Sequence, residues 1–133
     1  MNFFLDTNIC IYFLKGTYPA LLDNLYSHAV SEIKIASIVK AELLYGAAHS
    51  KKVVDNTEKV ERFLLPFEII AFDSSAAEHY AQIRAKLANK GTPIGPNDLI
   101  IAATALANKG ILVTNNEQEF SRINELPLEN WTV

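Results

Sequence analysis

The 133-residue sequence contains a single cysteine, Cys10, which excludes a fold held together by disulfides within the chain. No apolar stretch approaches the roughly 20 residues of a membrane-spanning helix. No signal peptide is expected, because the charged Asp6 interrupts the apolar start of the chain. The 3 histidines, His28, His49 and His79, are scattered and lack the spacing of a zinc site. These absences favour a protein of the reducing cytoplasm, with no membrane association.

Positive charge is the minority sign in this chain. There are 12 Lys and Arg residues against 15 Asp and Glu residues, and the net charge is −3. This balance argues against a protein that holds nucleic acid through a broad positive field. It does not exclude a nuclease, because local basic patches can hold a backbone and bound metal ions would reverse the sign of an acidic pocket.

Two groups stand out among the scattered basic residues of the sequence. Those within 51–62 most simply form the solvated face of one helix, with phosphate contact by some of them as the lesser alternative. Arg84, Lys86 and Lys90 lie nearer to the glycine- and proline-rich loop 91–96. They are therefore the better candidates for contact with a phosphate backbone.

Apolar residues are abundant and make up 50% of the chain, enough for the core of one compact domain over residues 1–133. Short apolar runs alternate with helical patterns throughout. We predict strands at 2–5, 33–36, 68–72 and 111–113, with an edge strand within 128–133. We predict helices at 8–14, from 19 onward, at 38–50, 51–62, 75–89 and 97–108, and a short one containing Phe120. This alternation predicts an α/β fold with a parallel sheet covered on both faces.

Carboxylates follow several of these strands. Asp6 ends the first strand, and Glu42 lies one turn into the helix after the second. Asp98 opens the helix 97–108, which is apolar nearly all round and should be central, whereas Glu117 and Glu119 follow the fourth strand. In a parallel sheet these positions share one edge. Gathered carboxylates repel one another, so such a cluster predicts a hard divalent cation bound by carboxylate oxygens and water.

Each acid also has a purely structural explanation. Asp6 could simply cap the helix that follows it, and Asp98 could be an ordinary first-turn acid. Glu42 could pair with a Lys or Arg of the core, and Glu117 and Glu119 could be solvated loop charges. Which acids meet is therefore the question that the three-dimensional structure must answer.

Four segments together resemble the PIN-domain ribonucleases, and among these the VapC toxins of bacterial toxin–antitoxin pairs. They are Leu5–Asn8 (LDTN), Ala41–Gly46 (AELLYG), Ile94–Ala103 (IGPNDLIIAA) and Leu112–Phe120 (LVTNNEQEF). The resemblance covers the whole chain, in order and with matching spacing. It implies an α/β/α sandwich with a central parallel sheet of about five strands, and acids that bind Mg²⁺ or Mn²⁺ and cleave RNA phosphodiesters.

The resemblance assigns the site residue by residue. Asp6, Glu42 and Asp98 match the first three metal-binding acids of the family. Many relatives have Asp where this chain has Asn116, and a second acid where it has Glu119. The resemblance therefore makes Glu119 the fourth acid, completing the metal set, and makes Asn116 a polar helper of catalysis.

The remaining parts of the resemblance concern the surroundings of the first acid, the substrate and the partners. Thr7 and Asn8 match positions that usually hydrogen-bond the first acid or its water. The segments 95–98, 114–116 and 129–131 resemble the subgroup that cuts initiator tRNA in its anticodon stem-loop. Such toxins form homodimers and are inhibited by a VapB-type antitoxin, whose tail places apolar and basic side chains in a groove of the toxin.

Two other functions compete with this interpretation. A phosphatase of the haloacid dehalogenase type also begins with a strand followed by a carboxylate, and Asp6 would then be its nucleophile. Such an enzyme needs an acid two residues later, where this chain has Asn8, and this weakens the case. The second alternative is a receiver-like binding module without turnover.

Overall fold

The computed structural model describes residues 1–133. It contains five strands, seven α-helices and one 3₁₀ turn at Val30–Glu32. In chain order the elements are β1 (Phe3–Leu5), α1 (Thr7–Lys15), α2 (Pro19–Tyr26), β2 (Ile33–Ala36), α3 (Ser37–Ala48), α4 (Val53–Leu64), β3 (Glu68–Ile70), α5 (Ser74–Lys90), α6 (Pro96–Ala107), β4 (Ile111–Val113), α7 (Glu117–Phe120) and β5 (Leu128–Glu129). None of the helices combines the length and the apolarity needed to cross a membrane.

The five strands form one sheet in the order β3-β2-β1-β4-β5, and every neighbouring pair is parallel. This confirms the predicted parallel sheet of about five strands. The chain builds β2 and β3 on one side of β1 and then β4 and β5 on the other. The strand order therefore reverses between β1 and β4, and open α/β sheets bind their ligands at the carboxyl ends of the strands at such a point.

The centre of the sheet is buried on both faces. All three residues of β1 are buried, and successive residues of a strand point to opposite faces, so helices cover β1 from both sides. The surrounding core is one cluster of 30 buried residues, and it includes Cys10, which is fully buried. Packing in this core holds β1 in place, and Asp6, which follows β1 directly, is held in place with it.

The predicted elements differ from the observed ones mainly at their ends. The strand predicted at 68–72 ends at Ile70, because the chain turns towards Asp73, whose carboxylate caps α5. The helix predicted at 51–62 extends to Leu64, and Phe63 and Leu64 at its end are buried. Helix α6 is central, as expected from its apolar surface, and it packs chiefly against α5 of the same chain.

Candidate metal centre

Asp6 follows β1 directly and is only 4% exposed. Its backbone N–H donates to the Val113 carbonyl at 3.1 Å, which extends the pairing of β1 with β4 by one residue. Its side-chain Oδ1 accepts the Ile9 N–H at 2.8 Å and so caps α1. The capping role considered from the sequence is therefore real. A cap uses only part of the acceptor capacity of a carboxylate, so it leaves Asp6 able to bind a ligand as well.

Burial is the main electrostatic influence on Asp6. The pKa of Asp6 is raised from 3.8 to about 6, chiefly by desolvation, and hydrogen bonds from Thr114 and the Ile9 N–H act in the opposite direction. The negative charges of Asp98 and Glu42 also contribute to this rise in the pKa of Asp6. Three of the acids singled out in the sequence thus influence one another in the folded chain.

Thr114 is a site residue that the sequence reasoning missed. It is fully buried, and it follows β4 as Asp6 follows β1. Because Leu5 lies opposite Val113 in the sheet, the residues after them are neighbours. The Thr114 hydroxyl also accepts the Asn116 N–H at 2.9 Å. The sequence does show that Thr114 is a polar residue at the end of a predicted strand. It does not show that β4 pairs with β1, and this pairing is what places Thr114 beside Asp6.

Asp98 lies in the first turn of α6, just after Pro96 opens the helix. Its pKa is also raised to about 6, first by burial and then by the charges of Glu119 and Glu42. It is therefore more than a first-turn acid, because two other carboxylates act on it. The charge of Asp98 acts on Asp6, and the charge of Glu119 acts on Asp98, so Asp98 lies between these two acids in the cluster.

Glu42 points towards polar groups from two other segments. One of its oxygens accepts the Thr7 hydroxyl, and the other accepts the Asn97 side-chain amide at 3.2 Å. The ion pairs of the chain are Met1–Glu32, Lys34–Glu68 and Lys86–Glu125, so the alternative that Glu42 pairs with a basic residue is wrong. Asn97 did not figure among the sequence candidates, although it lies next to Asp98.

Glu119 and Glu117 have different surroundings although they lie two residues apart. Glu119 is half-buried, and its two oxygens accept the Gly95 N–H at 3.2 Å and the Asn116 side-chain amide at 2.9 Å. Glu117 is exposed to solvent. The structure therefore brings Glu119, and not Glu117, towards Asp98, and places Asn116 where it can orient Glu119.

The polar residues after Asp6 are arranged differently from the expectation. The Thr7 hydroxyl bonds to Glu42 and not to Asp6. Asn8 is exposed, and the hydrogen bonds received by Asp6 and Glu42 come from other groups. A direct hydrogen bond from Asn8 to the first acid is absent, and its contact with a water there stays a prediction.

The donor set suits a hard divalent cation. Four carboxylates act on one another, and no Lys or Arg side chain neutralises any of them. No three His, Cys, Asp or Glu side chains converge closely enough to hold one ion by themselves. Mg²⁺ usually keeps several waters and uses one or two carboxylates, so the arrangement fits such an ion and not a closed protein cage.

The comparison with known proteins identifies the family of this chain. The PIN domain family matches residues 3–126. Ribonuclease VapC2 of Rickettsia felis is 46% identical over 132 residues, which cover 98% of each chain. The chain belongs to the VapC ribonucleases of the PIN-domain family. Another VapC relative, the tRNA(fMet)-specific endonuclease of Shigella flexneri, is 39% identical over 99% of each chain.

Solved structures of VapC proteins with their antitoxins share the fold. The DNA-bound VapBC of Salmonella typhimurium matches with a TM-score of 0.93 and 40% identity over 98% of each chain. VapBC2 of Rickettsia felis, bound to a DNA fragment from its promoter, matches with a TM-score of 0.91 and 43% identity over 98% of this chain and 99% of that one. These matches confirm the predicted PIN-like sandwich, and the phosphatase and receiver alternatives find no support. PIN-domain nucleases generally depend on a divalent metal, which agrees with the donor set.

Proposed function

We propose that this chain is the toxin of a toxin–antitoxin pair and acts as a divalent-metal-dependent endoribonuclease. The observation that carries the proposal is a cluster of four acids at the carboxyl edge of the sheet with no basic residue among them. Its members are Asp6, Glu42, Asp98 and Glu119. Mutually repelling carboxylates in a partly buried site are stabilised by a cation, and the VapC family supplies the chemistry that such a cation serves.

The metal that we propose is Mg²⁺ or Mn²⁺. Asp6 and Asp98 would hold it directly, and Glu42 and Glu119 would complete the metal set through the waters that the ion keeps. When bound, the ion stabilises negative charge on the phosphodiester and favours ionisation of a water. Above about pH 6 both aspartates are ionised and available to hold it. Asn116 keeps Glu119 turned towards the site, which is the catalytic support that we assign to it.

The remaining side chains prepare the site for RNA. Thr7 and Asn97 hold the Glu42 carboxylate from two sides, so it is oriented before the ligand arrives. Asn8 is exposed next to Asp6, and we assign to it a hydrogen bond with a water or with the RNA. Hydrolysis at this site would leave a 5′-phosphate and a 3′-hydroxyl.

The substrate and partners are inferred from the relatives. The names of the Shigella flexneri and Salmonella typhimurium relatives specify tRNA(fMet), so we infer initiator tRNA, cut in its anticodon stem-loop. The solved VapBC complexes support a VapB-type antitoxin as the partner. We further infer a homodimer that acts in the cytoplasm, with residues 1–133 forming one PIN domain.

The decisive experiment is cleavage of total tRNA by the purified, antitoxin-free chain. We expect cutting with Mg²⁺ or Mn²⁺, none with EDTA, and none by Asp98→Asn. Glu119→Gln should lose most activity, whereas Glu117→Gln, a matched change of an exposed acid two residues away, should retain it. Full activity of Asp98→Asn, or no cleavage by the wild-type chain with metal, would overturn the proposed function.

A further inference from the structure

A cavity of about 490 Å³ lies between α1, α3 and α4, beside the acidic cluster. Glu42 is one of its lining residues, so the cavity is continuous with the candidate metal centre. Its wall combines apolar and polar side chains, among them Ile11, Leu43, Val60, Ser50 and Asn56. Its volume falls within the roughly 300–1,000 Å³ of sites that bind one small ligand or one part of a larger one.

Gly46 lines this cavity and has no structural explanation within the chain. It lies in the middle of α3, where glycine is less favourable than any residue except proline. A Cβ atom at Gly46 would meet no other atom within 4 Å. Gly110, by contrast, is explained by packing within the chain, because a Cβ there would lie 2.5 Å from the ring of Phe4. The bare backbone at Gly46 therefore points to the close approach of something outside the chain.

Two free cations line the same cavity. Lys15 ends α1 and Lys59 lies on α4; both are exposed, and neither belongs to an ion pair of the chain. Lys86, which the sequence favoured for phosphate contact, is instead paired with Glu125 at 3.2 Å. Two unpaired lysines around an otherwise mixed cavity suit a ligand that carries phosphates.

We propose that this cavity holds the RNA nucleotide adjacent to the scissile phosphodiester. Its base lies over the apolar wall and close to Gly46, and its phosphates contact Lys15 and Lys59. The inference rests on the proposed function, because continuity with Glu42 is what places the nucleotide next to the bond that is cut. Proteins commonly read RNA by accepting the splayed bases of single-stranded loops, which such a cavity could do.

The first test fills the cavity at Gly46. Gly46→Leu should raise the thermal stability, because leucine is a good helix former and its Cβ meets open space. The same change should raise KM for an anticodon stem-loop RNA by roughly tenfold or more and leave kcat within about threefold. Gly46→Ala should raise the thermal stability about as much, because alanine is the best helix former, but should raise KM by less because its side chain is smaller. A gain in stability that accompanies a loss of substrate binding cannot arise from damage to the fold.

The second test removes the cations one at a time. Lys15→Ala and Lys59→Ala should each raise KM by roughly three- to tenfold and lower the slope of log KM against log salt concentration by about 0.7. Lys51→Ala is the matched control, because Lys51 is exposed and lies outside the cavity. Lys51→Ala should change neither KM nor the slope of log KM against log salt concentration.

The outcomes separate this inference from the proposed function. If the wild-type chain cleaves RNA but Gly46→Leu keeps its KM, the cavity does not hold the substrate. The same conclusion follows if Lys59→Ala behaves like Lys51→Ala. Weakened binding of the antitoxin or of a second copy by Gly46→Leu, with unchanged KM, would assign the cavity to a protein partner instead. If the wild-type chain cuts no RNA with metal present, both proposals fall.

Discussion

Asparagine in place of Asp6 should stabilise the metal-free chain at neutral pH. The amide keeps the size of the side chain and remains a good helix cap, so the Ile9 N–H retains an acceptor. What the change removes is a buried negative charge that lies close to two other acids. Asp6 is a principal metal ligand in our proposal. Its replacement by asparagine should therefore abolish function and at the same time stabilise the fold.

The magnitude follows from the pKa of Asp6. It is raised from 3.8 to about 6, and one pKa unit corresponds to ~1.4 kcal/mol. Ionisation of Asp6 therefore destabilises the metal-free fold by about 3 kcal/mol at neutral pH. A neutral amide accepts a weaker hydrogen bond than a carboxylate, which offsets about 1 kcal/mol. We expect a net gain of about 1–3 kcal/mol, or a rise in Tm of roughly 4–10 °C.

The gain in stability of Asp6→Asn over the wild-type chain should increase with pH. Because the pKa of Asp6 is higher in the folded chain than in the unfolded one, the folded chain binds the proton more tightly between about pH 4 and pH 6. The stabilising effect of the protonated acid is present below about pH 4 and is lost as the pH rises through about 6. The advantage of Asp6→Asn should therefore be small at pH 4 and complete above pH 7.

Urea unfolding of both chains at pH 4 and pH 7.5, with EDTA present, measures this difference. Asp73→Asn is the matched control, since Asp73 caps α5 through an equivalent hydrogen bond of 2.9 Å but is exposed. Mg²⁺ should raise the Tm of the wild-type chain and not that of Asp6→Asn. A variant that is less stable than the wild type at pH 7.5, or a gain of equal size at pH 4, would refute the reasoning.

Three further predictions concern the pH profile, the fourth acid and the core. The pKa values of Asp6 and Asp98 are both raised to about 6, so kcat/KM at fixed Mg²⁺ should fall steeply below pH 6, and a profile flat down to pH 5 would contradict the assignment. Asn116→Ala frees the Glu119 carboxylate and should lower kcat/KM by roughly 10- to 100-fold, with an unchanged Tm showing that the fold is intact. Gly110→Ala places a methyl group against Phe4 and should lower the unfolding free energy by about 1–3 kcal/mol in urea titrations, while the activity of the folded fraction is retained.

The sequence by itself determined the architecture and the principal candidates. Short apolar runs such as 3–5 and 111–113 alternate with longer helical patterns, and this local order is enough to predict a parallel α/β sheet. An acid directly after a buried strand, as at Asp6, stands at the edge where such sheets bind their ligands. Both conclusions depend on neighbours in the chain, which are visible in the sequence.

Only the tertiary structure decided which side chains meet. Pairing of β4 with β1 brings Thr114 beside Asp6, and these residues are far apart in the chain. Glu117 and Glu119 are chemically alike, yet the packing of α7 turns only Glu119 towards Asp98. Successive positions of a helix differ by about 100° in direction, and its rotation is set by what it packs against. The composition of the acidic cluster is thus a property of long-range packing, which local sequence patterns do not contain.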